Sequence, residues 1–103
     1  MTTRKSKGIL KLENHLQKLT ELNTVLKLQT SRPSSVVIRN LSQMNANASY
    51  RALNIATELY QSGAITKYEL KQLRERIFRT KFQNDEKLFG WRNLGLARRI
   101  LSR

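Results

Sequence analysis

The stretch SSVVIRNLSQMNANASYRALNIATELYQ, Ser34–Gln61, decides the fold. Its apolar residues Val37, Leu41, Met44, Ala48, Ala52, Ile55 and Leu59 recur three or four positions apart, which keeps them on one face of an α-helix. The middle of the stretch, Asn45-Ala-Asn-Ala-Ser49, is made of weak helix formers. The stripe passes through it without changing phase, so one continuous helix is expected. Its mean spacing, about 3.67 residues per turn, is near that of a straight helix.

Upstream, Ile9, Leu12, Leu16, Leu19, Asn23 and Leu26 alternate in steps of three and four and form an a/d seam on a helix over about 8–29. This seam averages about 3.4 residues per turn, so the two helices cannot share one long supercoil, and a crossing in a compact bundle is expected. Asn23 sits on an a-type position, where a polar side chain fixes register or oligomer state. A partly exposed edge position explains it equally well. Thr30-Ser-Arg-Pro33 turns the chain, and the serines around Pro33 offer N-caps for the next helix. A hairpin of long helices leaves apolar surface uncovered, so a homodimer is expected, with Leu12, Leu16, Leu19, Asn23 and Leu26 as its interface.

Gln61-Ser-Gly63 ends the second helix, and Thr66-Lys-Tyr-Glu69 opens a third with a capping box. Leu70, Leu73 and Ile77 form its buried stripe. The string Leu59-Tyr-Gln-Ser-Gly63-Ala-Ile-Thr66-Lys-Tyr-Glu69-Leu70 resembles the short C-terminal oligomerisation domain family of prokaryotes, which has a similar Gly-x-Ile-Thr turn. The resemblance implies self-association. Gln83-Asn-Asp-Glu86 reads as a second break, with acids suited to a new helix N-terminus. Gly90 and Gly95 weaken the helix beyond it. The expected fold is therefore an all-α, compact bundle of about four helices in one domain. The helices cover about 8–29, 34–61, 66–80 and 86–101, behind a flexible basic arm at 1–7, and dimerisation completes the core.

Charge bounds the function. Twenty Lys and Arg stand against 7 Asp and Glu, a formal net charge of +13. Such an excess attracts polyanions. There is no cysteine, the single His15 has no ligand or nucleophile at a suitable spacing, and the 4 glycines are too scattered for a phosphate loop. No enzyme activity, metal or cofactor is expected. No apolar run spans a bilayer, and Lys11 and Glu13 interrupt a secretory core, so an intracellular, cytoplasmic or nucleoid-associated protein is expected.

The basic residues are ordered. Lys67, Lys71, Arg74, Phe78 and Lys81 share one stripe beside the apolar face of the third helix, while Arg76 and Arg79 lie on other faces. Lys87, Arg92, Arg98 and Arg99 follow, interleaved with Phe82, Phe89 and Trp91, and Arg4, Lys5 and Lys7 precede the first helix. These cations read as a phosphate-binding surface on DNA or RNA, and most of the aromatics read as core. The long helix, Gly63 turn and basic third helix have the outline of a helix-turn-helix, without a distinctive match at its contact positions. The rival expectation is an adaptor or inhibitor that docks on an acidic protein or a ribonucleoprotein through Phe89 and Trp91. Asp85 and Glu86 disfavour a membrane-surface role.

Overall fold

Three helices, each touching the other two, make up the computed structural model: α1 Lys7–Leu28, α2 Ser35–Gln61 and α3 Lys67–Leu101. The structure describes residues 7–101, with side chains through 94. Among the described residues there is no strand.

The chain reverses twice. Ser34 caps α2 by accepting a hydrogen bond from the Val37 amide. At the far end Gly63 adopts φ +80°, the left-handed conformation glycine tolerates. Its amide donates to the Tyr60 carbonyl and that of Ala64 to the Leu59 carbonyl, a Schellman turn. The expected capping box follows: the Thr66 amide donates to the Glu69 carboxylate and the Glu69 amide to the Thr66 hydroxyl, each at 3.1 Å.

The core departs from the apolar stripe read in Ser34–Gln61. Val37 and Met44 are exposed, and the buried line of α2 is Ile38, Asn45, Ala52 and Leu59, with Ala48, Ser49 and Ala56 beside it. These four positions are seven apart. So are Leu12, Leu19 and Leu26 of α1, and Leu70, Ile77, Asn84 and Trp91 of α3, all of them buried. Once Asn45 counts as core, the three helices share a heptad period, and they pack lengthwise rather than crossing compactly. The molecule measures 64 × 24 × 17 Å with a radius of gyration of 17.0 Å, against about 13 Å for a compact chain of this length.

The third and fourth helices expected from the sequence are one. α3 runs without interruption through Gln83–Glu86. Asn84 turns inward, and Asp85 binds side chains of its neighbours rather than capping a helix, so neither residue breaks it. Packing outweighs weak local propensity here. Lys7 belongs to α1 and not to an arm, whereas Arg4 and Lys5 lie outside the described residues.

A polar layer divides the core. The Asn84 side-chain amide donates to Asn45 Oδ1 at 3.0 Å, and Asn23 Nδ2 donates to Asn84 Oδ1 at 2.9 Å and to Gln83 Oε1 at 3.3 Å. Asn45 Nδ2 donates to Asp85 Oδ1 at 2.9 Å and to the Lys81 carbonyl at 3.3 Å. Asn84 of α3 thus joins Asn23 of α1 and Asn45 of α2. On one side lies a cluster of Leu12, Leu19, Ala48, Ala52, Ala56, Leu59, Leu70 and Ile77. On the other lies a cluster of Leu22, Leu26, Ile38, Leu88 and Trp91. The small alanines of α2 admit the larger side chains of both neighbours.

At the second cluster, Arg32 clamps the α1–α2 connection to α3. Its Nε donates to the Trp91 carbonyl at 2.8 Å, and its terminal nitrogens donate to the Pro33 carbonyl and the Ser35 hydroxyl.

Candidate nucleic-acid interface

Helical spacing sorts the cations of α3 by flank, and the polar layer identifies the flanks. Asp85 meets Asn45 on the α2 side, and Gln83 meets Asn23 on the α1 side. Lys67, Lys71, Arg74, Lys81 and Arg92 then fall on the α2 side, Arg76 and Lys87 on the α1 side, and Arg79 on the outermost line. Lys67, Lys71, Arg74, Phe78 and Lys81, one stripe by their spacing, thus lie on the flank of α3 nearer α2. Lys67, Lys71, Arg74 and Arg92 are exposed and form no ion pair among the described residues. Lys81 differs. Its ammonium is 2.7 Å from Asp85 Oδ2 and its side chain is largely covered, so part of its charge serves the fold. Lys87 lies over the Trp91 ring, 5.3 Å from the centroid. The side chains of Arg98 and Arg99 lie outside those described.

The aromatics are arranged differently from the expectation. Trp91 is 5% exposed and belongs to the core, so it offers no anchor to a partner. Phe82 and Phe89 face outward, at 60% and 63% exposed. Half-buried Phe78 stacks on Phe82 with centroids 5.9 Å apart and planes at 17°, and Lys81 Nζ lies 5.5 Å from the Phe82 centroid. Phe82 and Phe89 line one surface notch with Ser42, Asp85, Leu88 and Arg92. A second shallow groove on the same flank is lined by Lys67, Lys71, Arg74 and Phe78. The sequence signal for this ridge is the placement of Phe78, Phe82 and Phe89 beside, rather than on, the seam of Leu70, Ile77 and Asn84. It is visible only when α3 is read as one helix.

The seam expected to form a dimer is used inside the chain. Leu12 and Leu19 are buried in the first cluster with Leu16 packed against it, Leu26 is buried in the second, and Asn23 is bound to Asn84 and Gln83. These residues pack towards α2 and α3 of the same chain.

A smaller basic groove between α1 and α2 is lined by His15, Lys18, Met44, Asn47 and Arg51. Burial, and then the cations of Lys18 and Arg51, hold the His15 pKa below its ordinary 6.5. The folded state therefore binds this proton less readily than the unfolded chain. The corresponding stability is present above pH 6.5 and is lost as pH falls through that value towards the lower folded pKa. The melting temperature is expected to fall between about pH 7.5 and about pH 5 in the native chain, and to fall less in His15→Gln.

Among the described residues no group of His, Asp and Glu could hold a metal ion, and no helix is long and apolar enough to cross a membrane. No family model, curated protein or solved structure matches the chain. The Leu59–Leu70 string that resembles an oligomerisation family is accounted for by the Schellman turn and the capping box.

Proposed function

We propose that the chain binds nucleic acid chiefly through its phosphates, in a regulatory or architectural role, with the α2-side flank of α3 as its contact surface. The observation that carries the reading is the alignment of Lys67, Lys71, Arg74 and Arg92. Four exposed cations without an ion pair among the described residues lie along one flank of a single helix, over about 37 Å. Lysine supplies point charges and arginine forked donors, which suit phosphate oxygens spaced along a strand. Proximity of like charges costs stability in the free protein, and a polyanion relieves that repulsion. A single chain presents the whole surface. The adaptor reading keeps only Phe89 of its two aromatic anchors.

The test is affinity for random-sequence oligonucleotides as salt is raised. Engagement of about five phosphates predicts a slope of log K against log salt near −4 to −5 on duplex DNA. Between 50 and 200 mM that corresponds to a loss of roughly 300-fold or more. Failure to bind at the lower salt, or an affinity unchanged across the range, contradicts the proposal.

A further inference from the structure

The notch between Phe82 and Phe89 has a chemistry that phosphate binding alone does not require. Two large apolar rings stand more than half in water on the flank that also carries Lys81 and Arg92. Neither is needed to fill the core, which Leu88 and Trp91 complete from the same turns of α3. Phe89 makes no ring or cation contact among the described residues, whereas Phe82 is held by Phe78 and Lys81. The two phenylalanines are seven positions apart, so their backbone positions are separated by about 10 Å along the axis. Planar groups in van der Waals contact lie about 3.5–4 Å apart, so there is room for one flat ring between two others.

The walls of the notch are aromatic, and its remaining lining is mixed. Leu88 is apolar, Ser42 brings a hydroxyl from α2, and Arg92 places a cation at the edge. Asp85 and Glu86 also line it. The Asp85 carboxylate is engaged by Asn45 on one oxygen and by Lys81 on the other, so it presents little free charge. Glu86 is exposed, and its carboxylate can accept from an N–H on the edge of a base, such as N3–H of thymine or uracil. A duplex keeps its base faces stacked inside and cannot use such a slot. An unpaired base can. Its ring would enter between Phe82 and Phe89 while the adjoining phosphates lie against Arg92 on one side and towards Arg74 and Lys71 on the other.

We propose that the Phe82–Phe89 notch takes an unpaired base, and that the ligand of this surface is a single-stranded polynucleotide. The inference rests on the phosphate-binding reading above and narrows it. Stacking of a base on an aromatic side chain contributes roughly 1–3 kcal/mol by alanine substitution, which is about 5-fold to 150-fold in affinity.

The experiment compares a labelled oligo(dT) 12-mer, an oligo(U) 12-mer and a 12-base-pair duplex, each titrated with the native chain, Phe89→Ala and Phe82→Ala at one salt concentration. A thermal melt of each variant confirms that it is folded. The native chain is expected to bind at least one single strand more tightly than the duplex. Phe89→Ala is expected to lose about tenfold or more on that strand and to leave duplex affinity unchanged. The ratio of oligo(dT) to oligo(U) affinity separates DNA from RNA. Equal binding of single strands and duplex, or an unaltered Phe89→Ala affinity for single strands, overturns this inference while leaving phosphate binding in place. Absence of binding to all three ligands overturns both.

Discussion

Replacing Asn84 with alanine is expected to lower stability by about 3 kcal/mol, a large effect for one exposed-looking amide in a basic sequence. Asn84 is 0% exposed and contacts both other helices. Its loss removes the donor to Asn45 Oδ1, which is itself fully buried, and removes the shorter of two acceptors for Asn23 Nδ2. A buried polar group left without a partner costs roughly 1–3 kcal/mol, and the small cavity adds to that. In a domain of this size the melting temperature should drop by roughly 12–24 °C. Changing Asn23, Asn45 and Asn84 to leucine together removes the asparagine-to-asparagine donors and acceptors as a set, leaving only half-exposed Asp85 and exposed Gln83 to turn to water, and part of the stability should return. What the triple variant is expected to lose is the pairing that fixes one helix against the next, since a polar layer in a heptad core specifies register. Thermal melts of the single and triple variants check this. A single variant within about 0.5 kcal/mol of the native chain would mean that the layer does not tie the helices together.

The second large effect concerns binding. Lys71→Glu with Arg74→Glu removes two adjacent cations from the proposed interface and puts two like charges against the strand. Hydrogen bonds to charged groups contribute about 1.5 kcal/mol or more each. Losing two is therefore worth at least about 3 kcal/mol, or more than 100-fold in affinity, before repulsion is added. Both residues are exposed and neither packs in either core cluster, so folding should be unaffected. Titration of an oligonucleotide at low salt reads the loss directly. A change of less than about tenfold would place the contacts elsewhere on the chain.

How far the sequence revealed this arrangement depends on which residues could be recognised as buried. The α1 seam was legible because leucine marks nearly all of it. The Gly63 turn and the Thr66–Glu69 capping box were legible because local hydrogen bonding dictates them. The core of α2 was not, because Asn45 and Ser49 look polar and Val37 and Met44 look apolar. Burial of Asn45 is favourable only once Asn84 is opposite it, and that partner lies 39 positions away. The same pairing concealed the continuity of α3. Read alone, Gln83–Glu86 resembles a helix start, and only the inward course of Asn84 makes it a helix middle. The cationic flank was legible from spacing, since Lys67, Lys71 and Arg74 need no partner to be placed. The Lys81–Asp85 pair is hidden while Gln83–Glu86 reads as a helix start, because the four-residue spacing brings the two together only on one continuous helix. Phe89 and Trp91 could not be told apart without knowing that Trp91 continues the seven-residue line from Leu70.

The most direct test of the central claim compares two variants with the same net charge. Lys71→Glu/Arg74→Glu alters the proposed flank of α3, and Lys11→Glu/Lys27→Glu alters exposed positions on α1. Affinity is measured for one single-stranded oligonucleotide across a salt series. Binding through the α3 flank predicts that the first variant loses about 1.4 from the magnitude of the log K against log salt slope, while the second stays close to the native slope. Equal slopes and equal losses in the two variants would show that only net charge matters, and would contradict an interface on α3.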